Sequence, residues 1–246
     1  MTPSHTAAID VVREPVLRAE GVGRVFTTRA GDVVACHDIS LEVFAGELTV
    51  VRGASGAGKS TLLRLLGGLD SPTSGRVSVR GVPYADLSEQ QTVQLRRDDL
   101  GFVFQDFGLI PVLTAAQNVG LPLRMTEADA AARDTRVAQV LEMVGLVDQG
   151  AQLPDELSGG QQQRVGIARA LAVQPTILIA DEPTAQLDAA NAVVVMTLLE
   201  RLARSEGIAV VIATHDLDLA ARAHHVIELH DGRMVQRAGR HAAAPS

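Results

Sequence analysis

Gly53-Ala-Ser-Gly-Ala-Gly-Lys59-Ser60 decides the fold, because it stands between the apolar run Leu48–Arg52 and a helical pattern over Lys59–Leu66. The spacing is G-x-x-x-x-G-K-[ST], and a strand before it with a helix after it is the context in which that spacing holds phosphate. Glycines let the backbone curl so that successive N–H groups turn inward toward an anion, and the helix that follows adds the positive end of its dipole. The whole loop, Gly53, Ala54, Ser55, Gly56, Ala57 and Gly58, is therefore expected to wrap a nucleotide phosphate. Lys59 is placed to reach the β and γ phosphates of ATP and Ser60 to ligate Mg²⁺, with Thr61 next in the same helical turn.

Working outward, a second apolar run over residues 176–180 ends in Asp181-Glu182. It reads as a buried strand that delivers two carboxylates at its C-terminal end, where ligands of α/β sheets collect. Asp181 is expected to hold Mg²⁺ and Glu182 to polarise an attacking water. Residues 208–213 form another fully apolar run, and a helix with Val195, Leu198 and Leu202 on one face lies between the two. This alternation predicts an α/β fold with a parallel core sheet. Before the loop, short β-branched segments at 16–17, 24–27, 33–34 and 39–43 alternate with glycine turns, which predicts an N-terminal antiparallel β layer. Ser88-Glu-Gln-Gln91 has the form of a capping box, and Val137, Val140, Leu141 and Val144 recur at helical spacing. The stretch from about 95 to 165 thus reads as an inserted α-helical subdomain within a domain spanning 15–235. Residues 1–14 and 236–246 read as flexible tails, and Asp231-Gly232 as the turn of a final hairpin.

Composition agrees with this architecture. Hydrophobic residues make up 46% of the 246-residue chain, yet Trp is absent and Tyr84 is the single tyrosine, so the core is built from Val, Leu, Ile and Ala. Such a core suits parallel strands covered on both faces. A formal net charge of −7 with no long basic run argues against nucleic acid as a partner. The one cysteine, Cys36, rules out an internal disulfide and reads as a small strand residue. No run approaches the roughly 18 apolar residues of a membrane span, and residues 1–10 lack the basic start and apolar stretch of a signal peptide. Any work at a membrane is then expected to pass through a partner.

Leu157-Ser-Gly-Gly-Gln161, at the start of a predicted helix, resembles the signature sequence of the ABC ATPases. Other elements of that family follow in its order. Gln105, in Gly-Phe-Val-Phe-Gln105, resembles the Q-loop glutamine that senses Mg²⁺ and the attacking water; Leu187-Asp188 resembles the D-loop; His215 resembles the switch histidine at the γ-phosphate; Phe26 stands where the family places an aromatic on adenine. The resemblance covers about residues 16–235. It implies a homodimer closing on ATP, with Lys59 of one subunit facing Ser158, Gly159, Gly160 and Gln161 of the other, and Asp188 at the dimer contact. Of the seven histidines only His215 receives a role.

The stretch Gln105-Asp-Phe-Gly-Leu-Ile-Pro111-Val-Leu-Thr-Ala-Ala-Gln-Asn118-Val resembles the lipoprotein-release and macrolide-efflux branch, the LolD/MacB type. By that resemblance residues 107–113 contact an integral membrane permease, and the protein is cytoplasmic, peripheral on the inner face of the cell membrane. The motor residues leave an importer or another exporter open, as well as an FtsE-like ATPase that regulates a cell-wall hydrolase. Gln117 stands where the branch usually has glutamate, and Ala185-Gln186 precede the D-loop in place of its usual residues.

Overall fold

In the computed structural model, which describes residues 13–29, 31–125, 129–216 and 220–239, the chain begins with two long strands, β1 (Leu17–Thr28) and β2 (Gly31–Val43). They pair antiparallel through several register shifts. Glycines that mark turns in the sequence are absorbed here as bulges: the register slips between Ala19 and Val22 around Gly21, which has φ +59, and the strand continues. Next, β3 (Leu48–Arg52) runs through the glycine loop into α1 (Lys59–Leu66), with the bounds the sequence implies. β4 (Ser74–Val79) and β5 (Val82–Pro83) complete an antiparallel layer in the order β2-β1-β4-β5. α2 (Glu89–Asp99) opens on the Ser88–Gln91 capping box and leads into β6 (Leu100–Val103).

β6 lies inside the stretch the sequence reads as helical. Four residues are too few to show a period, and pairing with a distant strand makes them β. Gly101 serves that packing, since a Cβ there would come within 2.9 Å of the Ala170 carbonyl. Helices α3 (Ala115–Gly120), α4 (Ala130–Met143) and α5 (Gly159–Leu171) follow, and the chain returns to strand at β7 (Ile177–Asp181). The remaining elements are α6 (Ala189–Glu206), β8 (Ala209–Thr214), and the hairpin of β9 (His225–His230) and β10 (Arg233–Gly239). Asp231 (φ +46) and Gly232 (φ +73) turn that hairpin as expected. Most of the two tails expected over 1–14 and 236–246 lies outside the described residues, and residues 236–239 continue β10.

The second sheet has the order β10-β9-β3-β8-β7-β6, parallel from β9 to β6 with β10 antiparallel at one edge. Because side chains alternate along a strand, each buried strand feeds two cores. Leu178, Ala180, Val210 and Ile212 face the helices α3 to α6. Ile177, Ile179, Val211 and Ala213 face α1 and the antiparallel layer. Both faces of the sheet are covered, which explains the unbroken apolar runs. Parallel register then sets the site: Arg52 pairs with Thr214 and Asp181 with Ala213, so the loops after β3, β7 and β8 leave the sheet at one edge. No helix among the described residues is long and apolar enough to cross a membrane.

Candidate active site

The loop after β3 holds a shape only glycine permits. Gly58 has φ +96, and a Cβ on it would collide with the Ala35 carbonyl oxygen of β2. Lys59, buried at 7% exposure, turns back over the loop, with Nζ donating to the carbonyls of Gly53 (2.8 Å) and Ala54 (3.2 Å). The same ammonium lies 3.4 Å from Glu182 Oε1, and Glu182 Oε2 lies 3.1 Å from His215 Nδ1. Glu182 itself follows β7 with φ +46, and its N–H donates to the Ala213 carbonyl at the end of β8 (2.9 Å). Two adjacent strand ends thus hold the carboxylate between a lysine and a histidine. Together these groups wall a cleft of about 680 Å³, which also takes in Ser55, Gly56, Thr61, Gln105 and Ala185.

Ser60 Oγ donates to Asp181 Oδ1 across 3.1 Å. Burial raises the Asp181 carboxyl above its ordinary range and the charge of Glu182 adds to this, while the Ser60 hydrogen bond and Lys59 oppose it. A carboxylate desolvated in this way gains from a cation beside it. Ser60 and Asp181 are hard oxygen donors at the end of the phosphate loop, and Gln105 adds an amide to the same cleft. The donor set fits a small divalent cation.

Other residues singled out in the sequence lie elsewhere. Phe26 pairs with Val33 of the cleft wall but does not itself line the cleft, and the Arg24 guanidinium covers its ring at 4.6 Å. Ser158 and Gln161 are engaged with each other at the start of α5: Ser158 N–H donates to Gln161 Oε1 (2.8 Å), and Gln161 N–H to Ser158 Oγ (3.3 Å). Gly159 and Gly160 form the first turn of α5, and Asp188 caps α6 by accepting from Asn191 N (2.9 Å) and Nδ2 (2.7 Å). None of these signature and D-loop residues lines the cleft of its own chain.

Three contributors escape sequence reasoning. The Asn191 side chain fills the space beside Gly160, so that a Cβ there would lie 2.9 Å from Asn191 Cβ. Its position, three residues after the Asp188 cap, is the one signal that could have found it. Asn118, wholly buried in α3, folds the loop before that helix by donating to the carbonyls of Ile110, Leu113 and Thr114 and accepting from Ile110 N–H. Arg169 of α5 donates to the carbonyls of Phe107 and Gly108. In the loop so held, Leu109 packs against the helical core, whereas Ile110 and Val112 face solvent, Val112 at 81% exposure.

A glycine loop that joins a strand of a parallel sheet to a helix, with carboxylates at the end of a second strand one removed from the first, defines a P-loop nucleotide-binding domain. Residues 36–185 match the ABC transporter family. The lipoprotein-releasing system ATP-binding protein LolD of Bordetella pertussis is 44% identical over 220 residues, 89% of this chain and 95% of that protein. The methionine import ATP-binding protein MetN of Nocardia farcinica is also 44% identical, over 225 residues, 91% of this chain and 67% of that protein. Among solved structures, the ATP-binding cassette MJ0796, a dimer in a post-hydrolysis state bound to ADP and Pi, superposes with a TM-score of 0.83 at 38% identity, covering 91% of this chain and 98% of that one. The chain belongs to the ABC transporter family, and it is an ABC-type ATPase.

Proposed function

We propose that this chain is the ATP-hydrolysing subunit of a transporter of the LolD/MacB type, working as a dimer on a separate membrane permease. The observation that carries the chemistry is Glu182, held between Lys59 and His215 in one cleft with the Ser60–Asp181 pair. Lys59 has three N–H donors, engaged with two loop carbonyls and Glu182. A triphosphate entering the loop draws the ammonium toward its β and γ oxygens and leaves the Glu182 carboxylate free to take a proton from water. His215 keeps hold of the second Glu182 oxygen and, exposed at the rim, reaches for the γ-phosphate. Mg²⁺, when bound, neutralises charge on the β and γ phosphates, and Ser60, Asp181 and Gln105 are the residues to hold it.

A chain of net charge −7 can bind so anionic a ligand, because solvent screens that charge beyond about 10 Å while the loop donors act in contact. The signature corner, Ser158 to Gln161, lies off its own cleft, which supports completion of each site by the opposing subunit. Ile110 and Val112, apolar and exposed on the loop at 107–113, support contact with the permease there and a location on the inner membrane face. The identity shared with a methionine importer supports a second reading, a subunit of an importer. The membrane protein that co-purifies with this chain separates the two.

Glu182→Gln removes the general base and keeps the shape. Hydrolysis should fall by about 10²-fold or more while ATP still binds, and the nucleotide-bound dimer should then persist on gel filtration. Normal hydrolysis in this variant would take the role of base away from Glu182.

A further inference from the structure

We propose that Arg169, near the C-terminal end of α5, is a positioning residue that makes the Gln105 loop and the Ser158 corner a single mechanical unit. Nη1 of its guanidinium donates to the Gly108 carbonyl and Nη2 to the Phe107 carbonyl, the latter at 3.1 Å. The fork thus spans two successive carbonyls of a turn that is costly by itself. Phe107 (φ +59) and Gly108 (φ +60) are both left-handed, a conformation in which a residue with a Cβ is strained. Asp106 lies close enough for its charge to favour the guanidinium, which burial otherwise penalises.

Contact between loop and helix extends beyond the guanidinium. Gly166, one turn before Arg169, admits the Phe107 backbone, since a Cβ on Gly166 would stand 3.2 Å from the Phe107 carbonyl oxygen. The Phe107 ring reaches to the other end of the helix, where a Cβ on Gly159 would lie 3.8 Å from its Cζ. The loop therefore lies along α5 from Arg169 back to the turn that Ser158 caps. A helix does not compress, so a shift of the Phe107–Gly108 turn at Arg169 is carried along α5 to the Ser158 corner, about 16 Å from Arg169 along the helix axis. Gln105 stands two residues before Phe107 and lines the cleft. Arg169 thereby aligns the in-chain glutamine with the corner offered to the opposing subunit.

This inference rests on the proposed roles of Gln105 and Ser158, and its test reads separately from theirs. In the full chain, Arg169→Met should lower kcat for ATP about tenfold or more, the scale of a misplaced catalytic group, with the affinity for a fluorescent ATP analogue within about twofold of the parent. Arg169→Lys, which keeps the charge but offers a point donor in place of the fork, should recover part of kcat. Gly108→Ala perturbs the same turn, so the Arg169→Met/Gly108→Ala double variant should be no slower than the worse single one. Unchanged kcat in Arg169→Met, multiplicative losses in the double variant, or a parallel loss of nucleotide affinity would each overturn the proposal. Should Arg169→Met fail to fold, Arg169→Lys and Gly108→Ala with their double variant decide it by the same criteria. A negative result here leaves the Glu182→Gln outcome intact, so the two readings fail independently.

Discussion

Gln117 occupies a place where the branch usually has glutamate, and it closes the cap of α3. Its Oε1 accepts the Thr114 N–H (3.0 Å) and its own N–H donates to Thr114 Oγ1 (3.2 Å), a capping box that either side chain can close. The motif residues were legible because phosphate chemistry demands fixed local spacing. Histidines outside the cleft were not. His224 Nδ1 accepts the Leu48 N–H (3.0 Å) at the base of β3, which requires an unprotonated nitrogen. Burial lowers its pKa from 6.5; Arg204, His225 and Arg13 push the same way, and Glu47 opposes them. The unfolded chain then binds this proton more readily, so the contribution to stability is complete above about 6.5 and is lost as pH falls below it toward the lowered value. His224→Asn keeps an acceptor for Leu48 without the titration. Its Tm should fall less than that of the parent between pH 7.5 and 5.5, and equal losses would remove His224 from the account.

At the scale of elements, the helical side of the sheet is braced by arginines that cap neighbouring helices. Arg136 of α4 donates to the last carbonyls of α5, those of Leu171 (2.7 Å) and Ala172 (3.1 Å), and Arg164 of α5 returns the contact at Val144 after α4 (2.9 Å). Burial lowers the pKa of both guanidinium groups, yet each satisfies carbonyls that a helix end otherwise leaves bare. One residue of α5 goes against this pattern. Gln163 is fully buried, and neither amide atom has a hydrogen-bond partner among the described residues. Leaving such a group unpaired costs about 1–3 kcal/mol. Gln163→Met, nearly isosteric and apolar, should therefore raise unfolding stability by about 1 kcal/mol in urea titration. A destabilised variant would mean that Gln163 is paired after all.

For the whole molecule, the decisive fact is that Ser158, at the start of α5, does not line the cleft that holds Lys59 in its own chain. Replacing Ser158 with Arg should leave each monomer able to bind ATP and abolish hydrolysis, while Lys59→Ala should abolish binding. Mixing the two variants creates sites that join an intact loop from one chain to an intact corner from the other. Activity should reappear on mixing, read as phosphate release, and a mixture as inert as its components would rule out a site shared between subunits.

Sequence alone determined the class of fold, the phosphate loop, the carboxylate pair and the order of the family elements. Each is a short-range pattern, set by side-chain period or by what a phosphate requires of consecutive residues. Tertiary structure decided the rest: β6 became a strand only by pairing with β7, Glu182 came between Lys59 and His215 only because β3, β7 and β8 end in register, and Arg169 found its loop some 60 positions away. Such contacts join residues remote in the chain, and nothing in local spacing records which remote groups the packing of the sheet will bring together.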